Sequence, residues 1–160
     1  MRIKSLIAED FINYKNPSMF IGTCFCTWKC CIEANIPLSI CQNHEIAKES
    51  VINISNESLY QKYIDNSITQ SIVIGGLEPI LQFDEVCELI EYFRNNDCND
   101  MFVIYTGYYP DEIKDEIETL KKYRNIIIKF GRFIPNKLHR YDEVLGVELA
   151  SDNQYAERIC

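Results

Sequence analysis

Cys26, Cys30 and Cys41 place three thiols in one short segment of the chain. Thiolates are the ligands of iron–sulfur clusters, and closely spaced cysteines let one stretch of chain wrap one face of a cubane cluster. Three thiolates leave one iron without a protein ligand, and an external molecule can bind and react there. The segment is therefore suited to a cubane iron–sulfur centre with one open coordination position.

Neighbouring thiols compete as ligands. Cys24 and Cys31 are rivals as ligands of the same centre. Adjacent side chains on a loop point in different directions, so Cys30 and Cys31 are not expected to ligate one small cluster together. The residues alone leave Cys24, Cys30 and Cys31 open as candidates beside Cys26 and Cys41.

A zinc site is the main alternative for these thiols. With His44, the three cysteines would form a Cys3His set, which is a common tetrahedral arrangement for structural zinc. Structural zinc needs no glycine-rich segment, however, and one occurs downstream. The remaining cysteines Cys87, Cys98 and Cys160 are expected to pack as small hydrophobic residues.

The composition limits the class of protein. A chain of 160 residues has the size of one domain, so a single domain over 1–160 is predicted. Its 16 basic and 24 acidic residues give a net charge of −8, which disfavours nucleic acid as a partner. The longest apolar runs are strand-sized, so no membrane span is expected. Eight cysteines without a secretory leader indicate reduced thiols and a cytoplasmic protein.

Hydrophobic periodicity predicts alternating strands and helices. Apolar runs of strand length are separated by longer amphipathic segments, which is typical of repeated β-α units and a mostly parallel sheet. The predicted strands are 2–7, 19–23, 71–75, 101–106 and 126–131, and the predicted helices are 57–66, 83–96 and 111–123. The sequence therefore predicts an α/β fold.

Two further loops carry groups suited to ligand binding. Gly75 and Gly76 end a predicted strand, and the lack of side chains lets a ligand approach the backbone closely. Glu78 supplies a carboxylate that can accept hydrogen bonds from a ligand ammonium group. Thr106 ends the next strand. Ligands of parallel α/β sheets gather at the carboxyl ends of the strands, so these loops and the cysteine loop are predicted to form one site.

Several short motifs together carry a family resemblance. They are Cys-x3-Cys at 26–30, Cys-x-Asn at 41–43, Gly-Gly-x-Glu-Pro at 75–79, Tyr-Thr-Gly-Tyr at 105–108, Gly-x-Phe at 131–133 and Ser-x-Asn-Gln at 151–154. They resemble the radical S-adenosylmethionine (radical SAM) superfamily and, within it, the glycyl radical enzyme activases that activate anaerobic ribonucleoside-triphosphate reductases. The chain departs from that pattern in two places. Ten residues instead of two separate Cys30 from Cys41, and Leu77 is inserted before Glu78.

The resemblance implies a site and a fold. Cys26, Cys30 and Cys41 would hold a [4Fe-4S] cluster, because Cys30 keeps the family's gap of three residues from Cys26 and Cys41 begins the Cys-x-Asn motif. A bound SAM cofactor would contact Asn43, Gly75, Gly76, Glu78, Thr106 and Asn153. The implied fold is an α/β single-domain open partial (β/α) barrel of the radical SAM type, because a closed eight-stranded barrel typically needs about 250 residues.

The resemblance also implies a function. The enzyme would cleave SAM reductively to methionine and a 5′-deoxyadenosyl radical, without a general acid or base. That radical would install a glycyl radical on a large partner such as an anaerobic ribonucleotide reductase, and an external donor such as flavodoxin or ferredoxin would supply the electron. Two alternatives stay open: a radical SAM enzyme that acts on a small molecule or a peptide, and a non-catalytic zinc or cysteine binding module.

Overall fold

A computed structural model describes residues 1–160 and contains a central six-stranded sheet. The strands are β1 (Arg2–Ile3), β2 (Ser5–Asp10), β3 (Ser18–Thr23), β4 (Ile52–Asn53), β5 (Ser71–Gly76), β6 (Met101–Tyr105), β7 (Ile126–Phe130), β8 (Arg140–Asp142), β9 (Val147–Leu149) and β10 (Tyr155–Arg158). The helices are α1 (Lys29–Ala34), α2 (His44–Lys48), α3 (Asn56–Ile64), α4 (Phe83–Asn95) and α5 (Lys114–Leu120).

The central sheet is mixed. Its strand order is β2-β3-β5-β6-β7-β10. The pairs β3–β5, β5–β6 and β6–β7 are parallel, whereas the edge strands β2 and β10 pair antiparallel with their neighbours. Two small antiparallel pairs, β1 with β4 and β8 with β9, lie outside this sheet.

The four parallel strands form where apolar runs occur in the sequence. All six positions of β3 and all five of β7 are buried. Parallel strands covered on both faces read as continuous apolar runs, because neither face meets water. The strands predicted at 19–23, 71–75, 101–106 and 126–131 are confirmed to within one residue at each end.

The helices follow the predicted periodicity with one change. The predictions for α3 and α4 are confirmed, and α4 buries Val86, Leu89, Ile90 and Phe93 at helical intervals. The helix predicted at 111–123 is shorter. A 3-10 turn at Pro110–Glu112 precedes α5, because Ile113 between them has a non-helical φ of −135°.

Alternate residues of the strands build two separate cores. The larger core packs the sheet against α3, α4 and α5 and contains 18 buried residues. The smaller core, on the opposite face, contains Val73, Val103 and Ile127 together with Tyr14 from the N-terminal region and Leu149 from β9. The β8–β9 hairpin, which the sequence analysis did not predict, therefore covers the face opposite α3, α4 and α5, and Ile46 of α2 packs on the same face.

The fold is a small α/β domain with a mixed, open sheet. The strand predicted at 2–7 is divided into β1 and β2, which pair with different partners. An open partial barrel of the radical SAM type stays a prediction for this architecture. No helix is both long enough and apolar enough to span a membrane.

Phe93 anchors the larger core, and its truncation tests that core. The ring is fully buried, and its centroid lies 5.1 Å from that of Tyr60 and 5.2 Å from that of Phe102. We expect Phe93→Ala to lower the free energy of unfolding by about 3–5 kcal/mol, because the cavity cannot be refilled. Phe11→Ala, at a position that is 60% exposed, is the control and should have little effect in the same urea titration.

Candidate metal centre

The cysteine loop follows β3 and folds back through two helical turns. Cys30 and Cys31 lie in α1, and Cys41 follows the 3-10 helix Leu38–Ile40. The Sγ atoms of Cys30, Cys31 and Cys41 all lie within 4.8 Å of one another, and those of Cys30 and Cys31 are 3.8 Å apart. The two neighbouring thiols therefore approach each other within a short helix, and the expectation that only Cys30 of the two ligates the cluster stays a prediction.

Cys26 precedes α1 and lies outside the compact thiol group. Its Sγ accepts a hydrogen bond of 3.2 Å from the Trp28 backbone N–H, and it lines a cavity together with Cys30 and Cys41. Cys31 is only 2% exposed and does not line that cavity. A cubane cluster has to fit between its thiolates, so its ligands must face open space. Facing the cavity is therefore a better criterion than the contact distances between free thiols, and it favours Cys26 over Cys31.

The pKa values of the thiols of Cys26, Cys30, Cys31 and Cys41 are shifted in different directions. A hydrogen bond from Cys41 lowers the pKa of Cys30, and the same bond raises the pKa of Cys41. Burial raises the pKa of Cys26 to about 11 and also raises that of Cys31. Because the thiolate is the form that binds metal, occupation of the site must release these protons.

Gly75 and Gly76 form the second loop of the site at the end of β5. Gly76 has a φ of +81°, and a Cβ at this position would lie 2.8 Å from the Cα of Gly22. The glycine is therefore required by the close approach of β3 and β5, whether or not a ligand binds. Leu77, the residue inserted relative to the family pattern, is buried.

Glu78 links the second loop to the third. Its Oε1 accepts hydrogen bonds from Thr106 Oγ1 at 2.8 Å and from the Ile80 N–H at 3.1 Å, and its Oε2 accepts one from the Gly107 N–H at 2.9 Å. Burial raises the pKa of Glu78, although these donors act in the opposite direction. A carboxylate has about four acceptor positions, so one is left for a further donor.

The three predicted loops meet at one cavity of about 540 Å³. Among the predicted cofactor residues, Asn43, Gly75, Gly76, Glu78 and Thr106 line this cavity. Asn153 does not. Its Nδ2 donates to Arg132 O at 2.8 Å and to Tyr109 Oη at 3.1 Å, so it supports the cavity wall from behind.

Arg132 is the centre of an ion-pair network that the sequence analysis did not predict. Its guanidinium donates to both oxygens of Glu112, at 2.8 and 2.5 Å, and its Nε lies 2.8 Å from Oε2 of Glu33 in α1. Lys29, also in α1, pairs with Glu112. The network joins the cysteine-bearing helix to the end of the sheet. In the sequence, Arg132 occupies the unspecified position of the Gly-x-Phe motif.

Lys129 is a second residue that the sequence analysis missed. It lines the cavity and is only 6% exposed. The signal was present in the sequence, since a lysine interrupts an otherwise apolar run that forms β7.

The thiol donors suit an iron–sulfur cluster. Sulfur ligands select iron–sulfur clusters, zinc or copper over hard cations. His44, proposed for a Cys3His zinc set, belongs neither to the compact thiol group nor to the cavity lining, whereas Cys26 lines the cavity. The cavity beside Cys26, Cys30 and Cys41 offers space for a larger group than a single ion.

These features define the class as iron–sulfur protein. The chain belongs to the 4Fe-4S single cluster domain family, whose sequence model matches residues 18–154. The match includes the cysteine loop, the glycine loop and the parallel strands β3, β5, β6 and β7. No curated protein shows significant similarity to the chain. The prediction of a [4Fe-4S] cofactor is confirmed at the level of the family.

The ligand set can be tested by cysteine replacement. We expect Cys30→Ala to reduce bound iron and sulfide to background, because Cys30 belongs both to the compact thiol group and to the cavity wall. Cys26→Ala should also lose the cluster, whereas Cys31→Ala should retain most of it. Iron and acid-labile sulfide per chain provide the measurement. Cys87→Ala, on α4, is the control, and retention by Cys26→Ala with loss by Cys31→Ala would reassign the third ligand.

Glu112→Gln tests the ion-pair network. Arg132 lowers the pKa of Glu112 from its ordinary value of 4.5 to about 2. A depressed carboxylate pKa stabilises the fold above about pH 4.5, and that contribution is lost as the pH falls towards 2. At pH 7 we expect the substitution to cost about 1.5–3 kcal/mol of unfolding free energy, the usual range for hydrogen bonds to charged groups.

The matched control for Glu112→Gln is Glu118→Gln. Glu118 pairs with Lys121 on the surface, and both side chains are about half exposed or more. Exposed pairs of this kind contribute between about 0 and 1 kcal/mol. Equal effects of the two substitutions on denaturant unfolding would mean that the Arg132 network does not hold α1 in place.

Proposed function

We propose that this iron–sulfur domain is a radical SAM enzyme. The observation that carries the proposal is the meeting of three loops at one cavity. The thiols of Cys26, Cys30 and Cys41 face one side of it, and the Gly75–Gly76 backbone and the Glu78 carboxylate face the same space. Three thiolates are one fewer than the irons of a [4Fe-4S] cluster, which leaves one iron for an external ligand.

The remaining residues of the site suit a ligand with an amino-acid end. When bound, a [4Fe-4S] cluster supplies the electron that cleaves the sulfonium bond of SAM to give methionine and a 5′-deoxyadenosyl radical. Glu78 offers one acceptor position for the ammonium group, and Thr106 and Gly107 hold its carboxylate in place. A cavity of about 540 Å³ lies within the usual range for small-molecule sites.

The final acceptor of the radical follows from the family resemblance. In this proposal the radical removes a hydrogen atom from a glycine in a large partner such as an anaerobic ribonucleotide reductase, and flavodoxin or ferredoxin reduces the cluster. A small molecule or a peptide is the second candidate acceptor. The lining of the cavity supports that candidate, because it includes Lys129 in β7 as well as the cysteine loop.

Anaerobic reconstitution tests the proposal directly. The protein is loaded with iron and sulfide, reduced with dithionite in the presence of SAM, and assayed for 5′-deoxyadenosine. We expect product that depends on the cluster and that disappears in Cys30→Ala. Stoichiometric zinc without sulfide in protein purified under anaerobic conditions would instead favour the non-catalytic binding module.

Glu78→Gln separates cofactor binding from cluster binding. The amide preserves the shape of the side chain but removes the charge that would attract the ammonium group of SAM. We expect SAM affinity to fall roughly tenfold or more, which corresponds to about 1.4 kcal/mol, with iron content unchanged. Glu57→Gln, exposed on α3, is the control. Unchanged SAM binding by Glu78→Gln would show that Leu77 has moved this contact to another residue.

A further inference from the structure

Lys129 is a buried cation at the wall of the cavity. It pairs with Tyr105 of the adjacent strand β6. Both side chains therefore lie on the sheet face opposite the layer formed by α3, α4 and α5. Its side chain is flanked by the Tyr105 ring, whose centroid lies 5.7 Å from Nζ. The other four residues of β7 are apolar. Burial of a charged side chain at this position costs solvation free energy, whereas burial of an apolar side chain would not.

Lys129 also lacks a charged partner. Its Nζ donates one hydrogen bond of 3.0 Å, to Gly131 O, and no carboxylate lies within 4 Å of it. A lysine ammonium has three donors, so two have no protein acceptor. The other buried cation of the cavity, Arg132, is neutralised by Glu112 and Glu33. Lys129 is therefore the buried cation of the cavity with no carboxylate in contact, and the charge of Glu78 acts on it only from beyond ion-pair distance.

We propose that Lys129 binds the carboxylate of a small monoanionic molecule that enters the cavity beside the cysteine loop. Charge-assisted hydrogen bonds to a carboxylate would use the two free donors. Burial lowers the pKa of Lys129 to about 8, which leaves the ammonium form predominant at neutral pH.

The charge around Lys129 favours a carboxylate over a phosphate. A phosphate group carries about 1.5 to 2 negative charges at pH 7. One lysine supplies a single positive charge, and Glu78 contributes a negative charge to the same cavity. Phosphate sites usually add arginine forks or several backbone N–H groups, but the Arg132 fork is already occupied by Glu112.

This assignment narrows the proposed function. It rests on that proposal only in treating the bound molecule as the acceptor of the radical, since binding at Lys129 requires no SAM cleavage. A glycine within a partner chain has no free carboxylate. The assignment therefore favours a small carboxylate-bearing substrate over a glycine loop of a large protein.

The test uses propionate and its neutral analogue propionamide as probes. Their binding to the cluster-loaded, oxidised protein is measured by saturation-transfer NMR, without SAM or reductant and at constant ionic strength. We expect propionate to bind at least tenfold more tightly than propionamide. Lys129→Met should abolish this preference, whereas Lys122→Met, at an exposed position in the same half of the chain, should retain it.

Several outcomes would overturn the assignment. Equal binding of propionate and propionamide to the wild-type protein would do so even if Lys129→Met failed to fold. Persistence of the preference in a folded Lys129→Met protein would move the anion site elsewhere. Displacement of propionate by inorganic phosphate at lower concentrations than by acetate would contradict the carboxylate class. Stoichiometric displacement by SAM would assign Lys129 to the cofactor instead of a substrate.

The test also separates the two proposals. Absence of 5′-deoxyadenosine in the reconstitution experiment, together with selective propionate binding, would reject SAM cleavage and retain the anion site. The opposite pair of results would retain SAM cleavage and reject the anion site.

Discussion

The parallel pairing of β3, β5, β6 and β7 is the constraint on which the site depends. Hydrogen-bonded register brings the carboxyl ends of these strands to one edge of the sheet, so loops that are distant in sequence become neighbours. The strands bury apolar side chains on both faces, and their backbone hydrogen bonds, together with a buried contact between Ser18 Oγ and Ser71 Oγ at 2.7 Å, hold them in place. The thiols, Glu78 and Thr106 lie where the strands end and not where the cores are packed. Core packing therefore does not determine which residue types occur at these positions.

The buried charges near this edge are compensated in different ways. Glu78 receives three hydrogen bonds from two loops, and Arg132 is held between two carboxylates. Both groups also join segments: Glu78 connects β5 to the loop after β6, and Arg132 connects the end of β7 to α1. The interactions that satisfy these charges thus determine the relative positions of the loops. Lys129 is different, because its single backbone contact joins no separate segment.

The sequence was a good guide to the elements and a partial guide to the site. Long apolar runs predicted the parallel strands, because burial on both faces leaves a strong local signal. The short strands β8, β9 and β10 have no such signal, since their pairing depends on contacts distant in sequence. Thiol types and spacing predicted the cysteine site. They could not predict that Cys30 and Cys31 approach each other, because that approach depends on the formation of α1. They also could not predict the ion pair between Arg132 and Glu112, because these two residues belong to different elements.

The contact between Gly76 and Gly22 has a consequence for how this domain can vary. The two strands that lead into the cysteine loop and the glycine loop touch through their backbones, with no room for a Cβ at Gly76. The separation of the two loops is therefore set by main-chain atoms, which every sequence shares. Homologous chains could replace much of either core without altering this spacing, whereas a single added methyl group at Gly76 would force the two loops apart.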